Sequence, residues 1–439
     1  MSSDRVERGP LRVVIVGAGP SGSALAILLN RQGADVTLFD DPRRPPLLVG
    51  ESLVPAVVPI LRRLGIEEQI ASFSRIKPGA TFTWSSDDEV RVAFDRFAPA
   101  VFPYAYNIPR PRFDEAVLGQ AVAAGVRHVP VRAQLRRAGA DGAHGELELA
   151  PATLAAAPAL EGRQPHLIVD ATGRARYVAH VLEIPARMGP RRDVAHFAHF
   201  DGFRWDDAPG QVVVTRGQAG GWTWRIPLQD ELSIGIVLDQ RDAAKLGRTP
   251  EERLDRAIAT DPALAPTAAR ARRVTPVATY ANYQLISERG HGPGWVMAGD
   301  SFGFVDPMLS PGVFLALRSA ELVADGLAPW LARREIPSPT QMDRVMAAYA
   351  RAQSEMLSAW MELVGYFYDG RVAALMRAGR TWNAMGLPVL KRAMDAHVAR
   401  HVGLLASGAA TTARYSRALL RFLSRHGLRG VDPDELAIR

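Results

Sequence analysis

An α/β protein is predicted, with a Rossmann-like core, an inserted antiparallel β-sheet lobe and a C-terminal helical region. Three observations predict it. The run "LRVVIVGAG" reads as a short buried strand, and Gly17-Ala18-Gly19-Pro20-Ser21-Gly22 follows it as G-x-G-x-x-G. From about residue 190 to 240 the texture turns to alternation, as in "QVVVTRG", "GWTWRIPL" and "LSIGIVL". From about 312 to 425 helical spacing dominates, broken by the Pro-rich "EIPSPT".

The elements follow in order. "SGSALAILLNRQG" is a helix with small residues at its start and a stop at Gly33. "ADVTLFD" is the second strand of a β-α-β unit. A helix near 56–64, a strand "ATFTW" and a helix "RPRFDEAVLGQAVAAG" come next. Residues 137–163, rich in Ala and Gly, read as a hairpin or loop. "HLIVDATGR" and "GWVMAGD" are two further core strands, and 250–270 is helical. The organisation expected is one module over 10–330. Its nucleotide core takes 10–115, 163–180 and 275–330, and its substrate-lobe sheet takes about 78–110 and 185–275. A helical substrate or cap region fills 331–439.

Composition narrows the function classes. Hydrophobic residues are 47% and charged residues 23%, as in a soluble globular protein. There is no cysteine, which excludes disulfides and thiolate metal sites and suits a cytoplasmic location. The formal charge of +7 is spread over 439 residues, without the clustering a nucleic-acid surface needs. No signal peptide and no charge-free span of membrane length is read. The basic helix around Arg417, Arg421 and Arg425 is expected to pack Tyr415, Leu419, Phe422 and Leu423 on its own domain.

The glycine loop carries chemistry because each glycine has a task. Gly17 permits the tight turn, Gly19 lets a pyrophosphate approach the backbone, and Gly22 lets helix and strand pack closely. Ser21 stands at the helix N-terminus that faces the phosphates. Asp40, at the end of the second strand, suits ribose hydroxyls, with Asp41 next in line.

A second segment, "VMAGDSFGFVDPMLSPGVFLAL", fits G-x-S-x-G around Ser301. A nucleophile elbow needs a helix directly after the serine, and Pro307 and Pro311 interrupt one. The segment also resembles, with "DATGR", the secondary motifs of FAD-dependent oxidoreductases of the para-hydroxybenzoate hydroxylase type. That resemblance places Asp300 on the ribityl chain of FAD and Arg110 of "RPRFD" beside the cofactor.

"GESLVP" (Gly50 to Pro55), "KPGATFTW" (Lys77 to Trp84) and "WTWRIP" (Trp222 to Pro227), together with "GDSFGFVDPMLSPGV", resemble the flavin-dependent halogenases. The closer branch is the one acting on phenols, pyrroles and carrier-tethered aromatics. The resemblance runs from residue 12 to about 325, with a faint continuation at "YFYD" (Tyr366 to Asp369). It implies a halogenase in secondary metabolism, fed reduced FAD by a separate flavin reductase, that turns oxygen and chloride or bromide into hypohalous acid. Lys77 would relay the oxidant to an electron-rich aromatic substrate, free or carrier-tethered. Trp222, Trp224, Ile226 and Pro227 would wall off the flavin chamber. Ser52, Arg110, Asp300, Gly312 and Val313 would join Gly17, Gly19, Ser21, Gly22 and Asp40 at the cofactor. The family's halide rests on the amides of a Ser/Thr-Gly pair. Here the pair is Pro311-Gly312, so one donor is missing, and Gly312 and Ser310 remain for the halide. Leu309 stands where tryptophan halogenases carry a glutamate, which argues against free tryptophan. The same fold without halogenation, as a monooxygenase, dehydrogenase or reductase, is the alternative.

Overall fold

The computed structural model describes residues 7–43, 47–85, 87–138, 145–205, 207–218, 220–381, 388–428 and 430–439. Two sheets organise it. The first has the spatial order His291–Gly292, Trp295–Met297, Leu167–Asp170, Arg12–Val16, Asp35–Phe39, Arg127–Val129. All its neighbours run parallel except the first pair. Its strands are buried on both faces, and Val13, Val14 and Ile15 are fully buried. Helix α1 (Pro20–Arg31) crosses over from the Arg12–Val16 strand, with proline at its first position.

Strand order reverses around Arg12–Val16, which has Asp35–Phe39 on one side and Leu167–Asp170 on the other. Such a reversal opens a crevice at the carboxyl ends of the strands. Gly17 and Ala171 stand there. Gly17 has φ +105, and a Cβ on it would come within 2.4 Å of the Ala171 carbonyl oxygen. Helix α2 (Arg110–Ala123) packs against α1 from farther along the chain.

The second sheet is longer and mostly antiparallel. Its order is Gly303–Phe304, Ala278–Ser287, Ala186–Asp201, Leu232–Asp239, Trp222–Pro227, Val212–Arg216, Gly79–Thr83, Glu89–Ala93. Two features correct the expectation from sequence. Ala278–Ser287, expected with the nucleotide core, pairs along the Ala186–Asp201 strand instead. Its β-period and long register with that strand outweigh its place in the chain. Val212–Thr215 also joins Ala80–Thr83 in parallel, so the sheet is not purely antiparallel.

Alternation along Ala186–Asp201 separates two cores. Ala195 and Phe197 face the main core, and Val194, Ala198 and Phe200 face a smaller one under the 250–260 helix. The C-terminal region is helical as expected, with α3 (Gly312–Arg333), α4 (Pro339–Tyr368) and α5 (Arg414–His426). Helix α5 docks through Leu420 and through Arg417 and Arg421 on Glu362, but Tyr415 and Phe422 stay exposed. The apolar face expected to pack on the domain is therefore only partly covered. Among the described residues no helix is long and apolar enough to cross a membrane.

The crevice depends on Gly22. A Cβ there would lie 1.9 Å from the Gly17 carbonyl oxygen, a backbone atom with no side-chain freedom to move aside. Gly22→Ala is expected to destabilise the protein by about 1–3 kcal/mol, read as a lower urea midpoint at unchanged m-value.

Candidate active site

One cavity of about 1410 Å³ opens at the crevice and runs beneath the second sheet. Gly17, Gly19, Ser21, Asp40, Ser52, Lys77, Arg110, Trp222, Trp224, Ile226, Asp300, Ser310, Gly312 and Val313 all line it. Two residues named from sequence do not. Gly22 sits behind the loop as packing, the task assigned to it. Pro227 falls on the other face of its strand because strand side chains alternate, and its carbonyl accepts from Asn107 Nδ2 at 3.0 Å.

Two helices aim their N-termini at this space. Helix α1 begins after Gly19, where a Cβ would meet nothing within 4 Å. Helix α3 begins at Gly312, equally open, with no acidic residue in its first turn. The first amides of a helix lack intrahelical partners and carry its positive dipole end. Pro311 caps α3, where its missing N–H costs little, and Gly312 and Val313 keep theirs. Leu309 and Ser310, just before, hold φ of 68 and 59, a left-handed pair that turns the chain into the helix.

Asp300 follows the Trp295–Met297 strand. Its carboxylate has no hydrogen-bond partner among the described residues, and burial pushes its pKa up to about 6 against the pull of Arg174 and Arg110. Ser301, by contrast, is fully buried, and its hydroxyl bonds to the carbonyls of Asp170 and Ala298. It is structural, not a nucleophile. The hydroxyl of Ser21 turns toward Ser319 at 3.1 Å, so Ser21 offers the cavity its backbone.

The Gly50–Leu53 segment joins the two ends of the site. At Gly50 the Arg110 guanidinium lies across the backbone, 2.6 Å from where a Cβ would be, with Val313 behind it. At Ser52 and Leu53 the segment holds Lys77. The amine donates to Ser52 Oγ at 2.7 Å and to the Leu53 carbonyl at 2.9 Å, and lies 5.5 Å from the Phe94 ring. Lys77 is 4% exposed, and burial pushes its pKa down to about 7. Ser52 was expected at the cofactor, but its hydroxyl is engaged as this acceptor.

Trp224 stands on Gly235 of the next strand, where a Cβ would enter the indole at 2.2 Å, and donates to Ser233 Oγ at 3.1 Å. Trp222 lies 5.7 Å from it between ring centroids. Beyond Lys77 the cavity is aromatic, lined by Phe82, Trp84, Phe94, Phe97 and Phe367. Of the C-terminal aromatics Trp360, Tyr366, Phe367 and Tyr368, Phe367 lines the cavity, and Trp360 is core against Phe314.

An ionic chain, buried at Glu51 and His199 and open to solvent at Glu231, was missed. Glu51 Oε1 lies 2.6 Å from His199 Nε2, and His199 Nδ1 lies 2.8 Å from Glu231 Oε2. Burial opposes charge on the imidazole, but Glu51 and then Glu231 outweigh it, and the His199 pKa is raised. No local motif announces this contact.

A sequence profile of the tryptophan halogenase family matches residues 12–99 and 91–372. The chain belongs to the tryptophan halogenase family. It is 30% identical over 367 residues to a tryptophan 2-halogenase of Chondromyces crocatus, covering 82% of this chain and 68% of that protein. It is 28% identical over 349 residues to a 1H-pyrrole-2-carbonyl-[peptidyl-carrier protein] chlorinase of Pseudomonas fluorescens, covering 71% and 74%. Among solved structures, the flavin-dependent brominase Bmp2 matches with a TM-score of 0.72 at 21% identity, covering 95% of this chain and 98% of that one. A flavoprotein/dehydrogenase of Cytophaga hutchinsonii matches at 0.76 and 20% identity, covering 94% and 98%. These two likenesses describe the fold, and the family makes the chain an FAD-dependent oxidoreductase.

The cavity fits FAD. Its volume exceeds the roughly 300–1,000 Å³ usual for a ligand pocket, which leaves room for a dinucleotide and a second molecule. The open Gly19, the unpartnered Asp300 carboxylate and the bare N-termini of α1 and α3 supply what its phosphates and hydroxyls need.

The buried amine has a signature in stability. Between about pH 7 and 10.5 the unfolded chain protonates Lys77 and the folded protein does not. The unfolded state binds more protons, so stability rises with pH across that window, by on the order of a few kcal/mol. Lys77→Met is expected to flatten this rise in urea titrations of the flavin-free protein from pH 7 to 10.

Proposed function

We propose that this protein halogenates an electron-rich aromatic ring, with Lys77 passing the halogen from the flavin side of the cavity to the aromatic side. The observation that carries the reading is the placement of Lys77. It is buried, held by Ser52 and Leu53, next to the segment that Arg110 and Val313 touch, and beside Phe94.

Bound FAD, reduced and supplied with oxygen and a halide, provides hypohalous acid. The residues do the rest. Gly17, Gly19 and the N-terminus of α1 hold the pyrophosphate, Asp40 the ribose and Asp300 the ribityl hydroxyls. The amides of Gly312 and Val313, with the Ser310 hydroxyl, hold the halide at the N-terminus of α3. Trp222, Trp224 and Ile226 keep the arene away from the flavin. A lysine with a pKa near 7 is substantially neutral at physiological pH. Its lone pair takes halogen from hypohalous acid, an N–H is exchanged for N–halogen and water leaves. The ring then takes the halogen and returns its proton to the amine.

The aromatic chamber suits a phenol or pyrrole ring. Leu309 offers no carboxylate, in keeping with a substrate other than free tryptophan. The relative acting on a pyrrole held by a peptidyl carrier protein supports a carrier-tethered substrate, and Arg96 and Arg400 on the cavity wall suit its acidic groups. Reduced FAD comes from a separate flavin reductase, since the sequence has one dinucleotide loop. A cytoplasmic setting agrees with the absence of cysteine.

The test is product analysis with reduced FAD, oxygen and bromide on phenol and pyrrole substrates, free and carrier-loaded. The wild type is expected to give the mass shift of one bromine for hydrogen. Lys77→Ala is expected to lose at least about 100-fold in that product while binding FAD normally. Undiminished bromination by the variant, or oxygenated product independent of bromide, overturns the reading.

A further inference from the structure

Tyr368 ends α4, far along the chain from the loops that build the cavity. Its hydroxyl lies 2.8 Å from Trp222 Nε1 and 3.0 Å from both carboxylate oxygens of Asp306. An indole nitrogen only donates, so the tyrosine oxygen accepts from Trp222. With Asp306 ionised, the tyrosine's own proton goes to that carboxylate, although burial pushes the Asp306 pKa up to about 7. Asp306 Oδ1 also accepts the Met308 amide at 2.9 Å. Arg191, paired with Asp193, stacks 3.8 Å over the Tyr368 ring. Trp222, Asp306 and Tyr368 are all buried.

We infer that Tyr368 is a positioning residue that locks two parts of the site at once, the Trp222 wall and the Asp306–Ser310 loop that leads into the N-terminus of α3. Asp306 opens the stretch that contains the left-handed pair Leu309 and Ser310. That pair is a strained turn and needs outside contacts to hold it. The Tyr368–Asp306–Met308 bonds provide them, and the turn sets where the Gly312 and Val313 amides point. The assignment of a halide to those amides rests on the proposed halogenation.

Tyr368→Phe keeps the ring under Arg191 and removes only the hydroxyl. Two readouts are taken on the holoenzyme loaded with oxidised FAD, neither needing turnover. Chloride binding is measured by line broadening of its NMR signal. The Trp222 indole N–H is followed in ¹⁵N-tryptophan-labelled protein, assigned with Trp222→Phe. Expected are a roughly tenfold weaker chloride affinity, as for one lost charge-assisted hydrogen bond, and a displaced, faster-exchanging indole signal. A wild-type chloride affinity in Tyr368→Phe, or a wild-type protein that binds no chloride, overturns the inference. Chloride binding that responds to Tyr368→Phe in a protein that never halogenates leaves the inference standing and refutes the proposed reaction instead. Should Tyr368→Phe fail to load FAD, Asp306→Asn decides. It retains an acceptor without the charge, so the indole signal is expected to move part of the way, and an unmoved signal overturns the inference.

Discussion

Burying an amine is costly, and the site is arranged around doing so at Lys77. Among the described residues no carboxylate pairs with it; a hydroxyl and one carbonyl receive its protons. A carboxylate partner would have stabilised the ammonium and removed the lone pair that the proposed relay needs. The Gly50–Leu53 segment therefore has to supply acceptors without charge, though Glu51 lies inside it. That carboxylate is drawn off to His199. The ionic chain through His199 to Glu231 keeps negative charge away from the amine while leaving the segment tightly fixed.

The groups the cavity offers to anions are backbone amides. The helix α1 and α3 N-termini meet one cavity from separate parts of the chain, and α1 packs on α3 along its length. Ser21, Ser319 and Gly299 stitch that contact, with the Gly299 amide donating to Ser319 Oγ at 2.8 Å. The spacing between the two N-termini is thus fixed by a helix pair and not by loop side chains. Pro311, which at first sight removes a halide donor, stands at the cap position just before the helix, where an N–H takes no part in the helix's own bonding. The amides that count are the ones that follow it.

Much of this was legible in the sequence because it is local. Gly17, Gly19 and Asp300 announce themselves through short strand–turn–helix patterns whose geometry needs glycine or a carboxylate at one offset. Lys77 and the tryptophans were legible through resemblance, and strand alternation then sorts Trp222, Trp224 and Ile226 from Pro227. The long-range contacts were not legible. Glu51 meets His199 across 148 positions and Trp222 meets Tyr368 across 146. Each is a common residue in an ordinary context, and only the pairing of distant strands and helices gives it meaning. The Ala278–Ser287 strand was misassigned for the same reason, since sequence neighbourhood does not show which sheet a strand joins.

The parallel join between Val212–Thr215 and Ala80–Thr83 has a consequence for how such a protein can diversify. It welds the strand just past Lys77 into the same sheet as Trp222 and Trp224, so the wall that carries these residues is one continuous plate. The opposite side of the aromatic chamber is made by separate helices, where Met376, Ala399 and Gly403 face the cavity. Residues there can be exchanged without disturbing the register of the plate. On the proposed function, new ring systems would be accommodated by remodelling the helical side, while the plate that carries Trp222 and Trp224 beside Lys77 keeps its register.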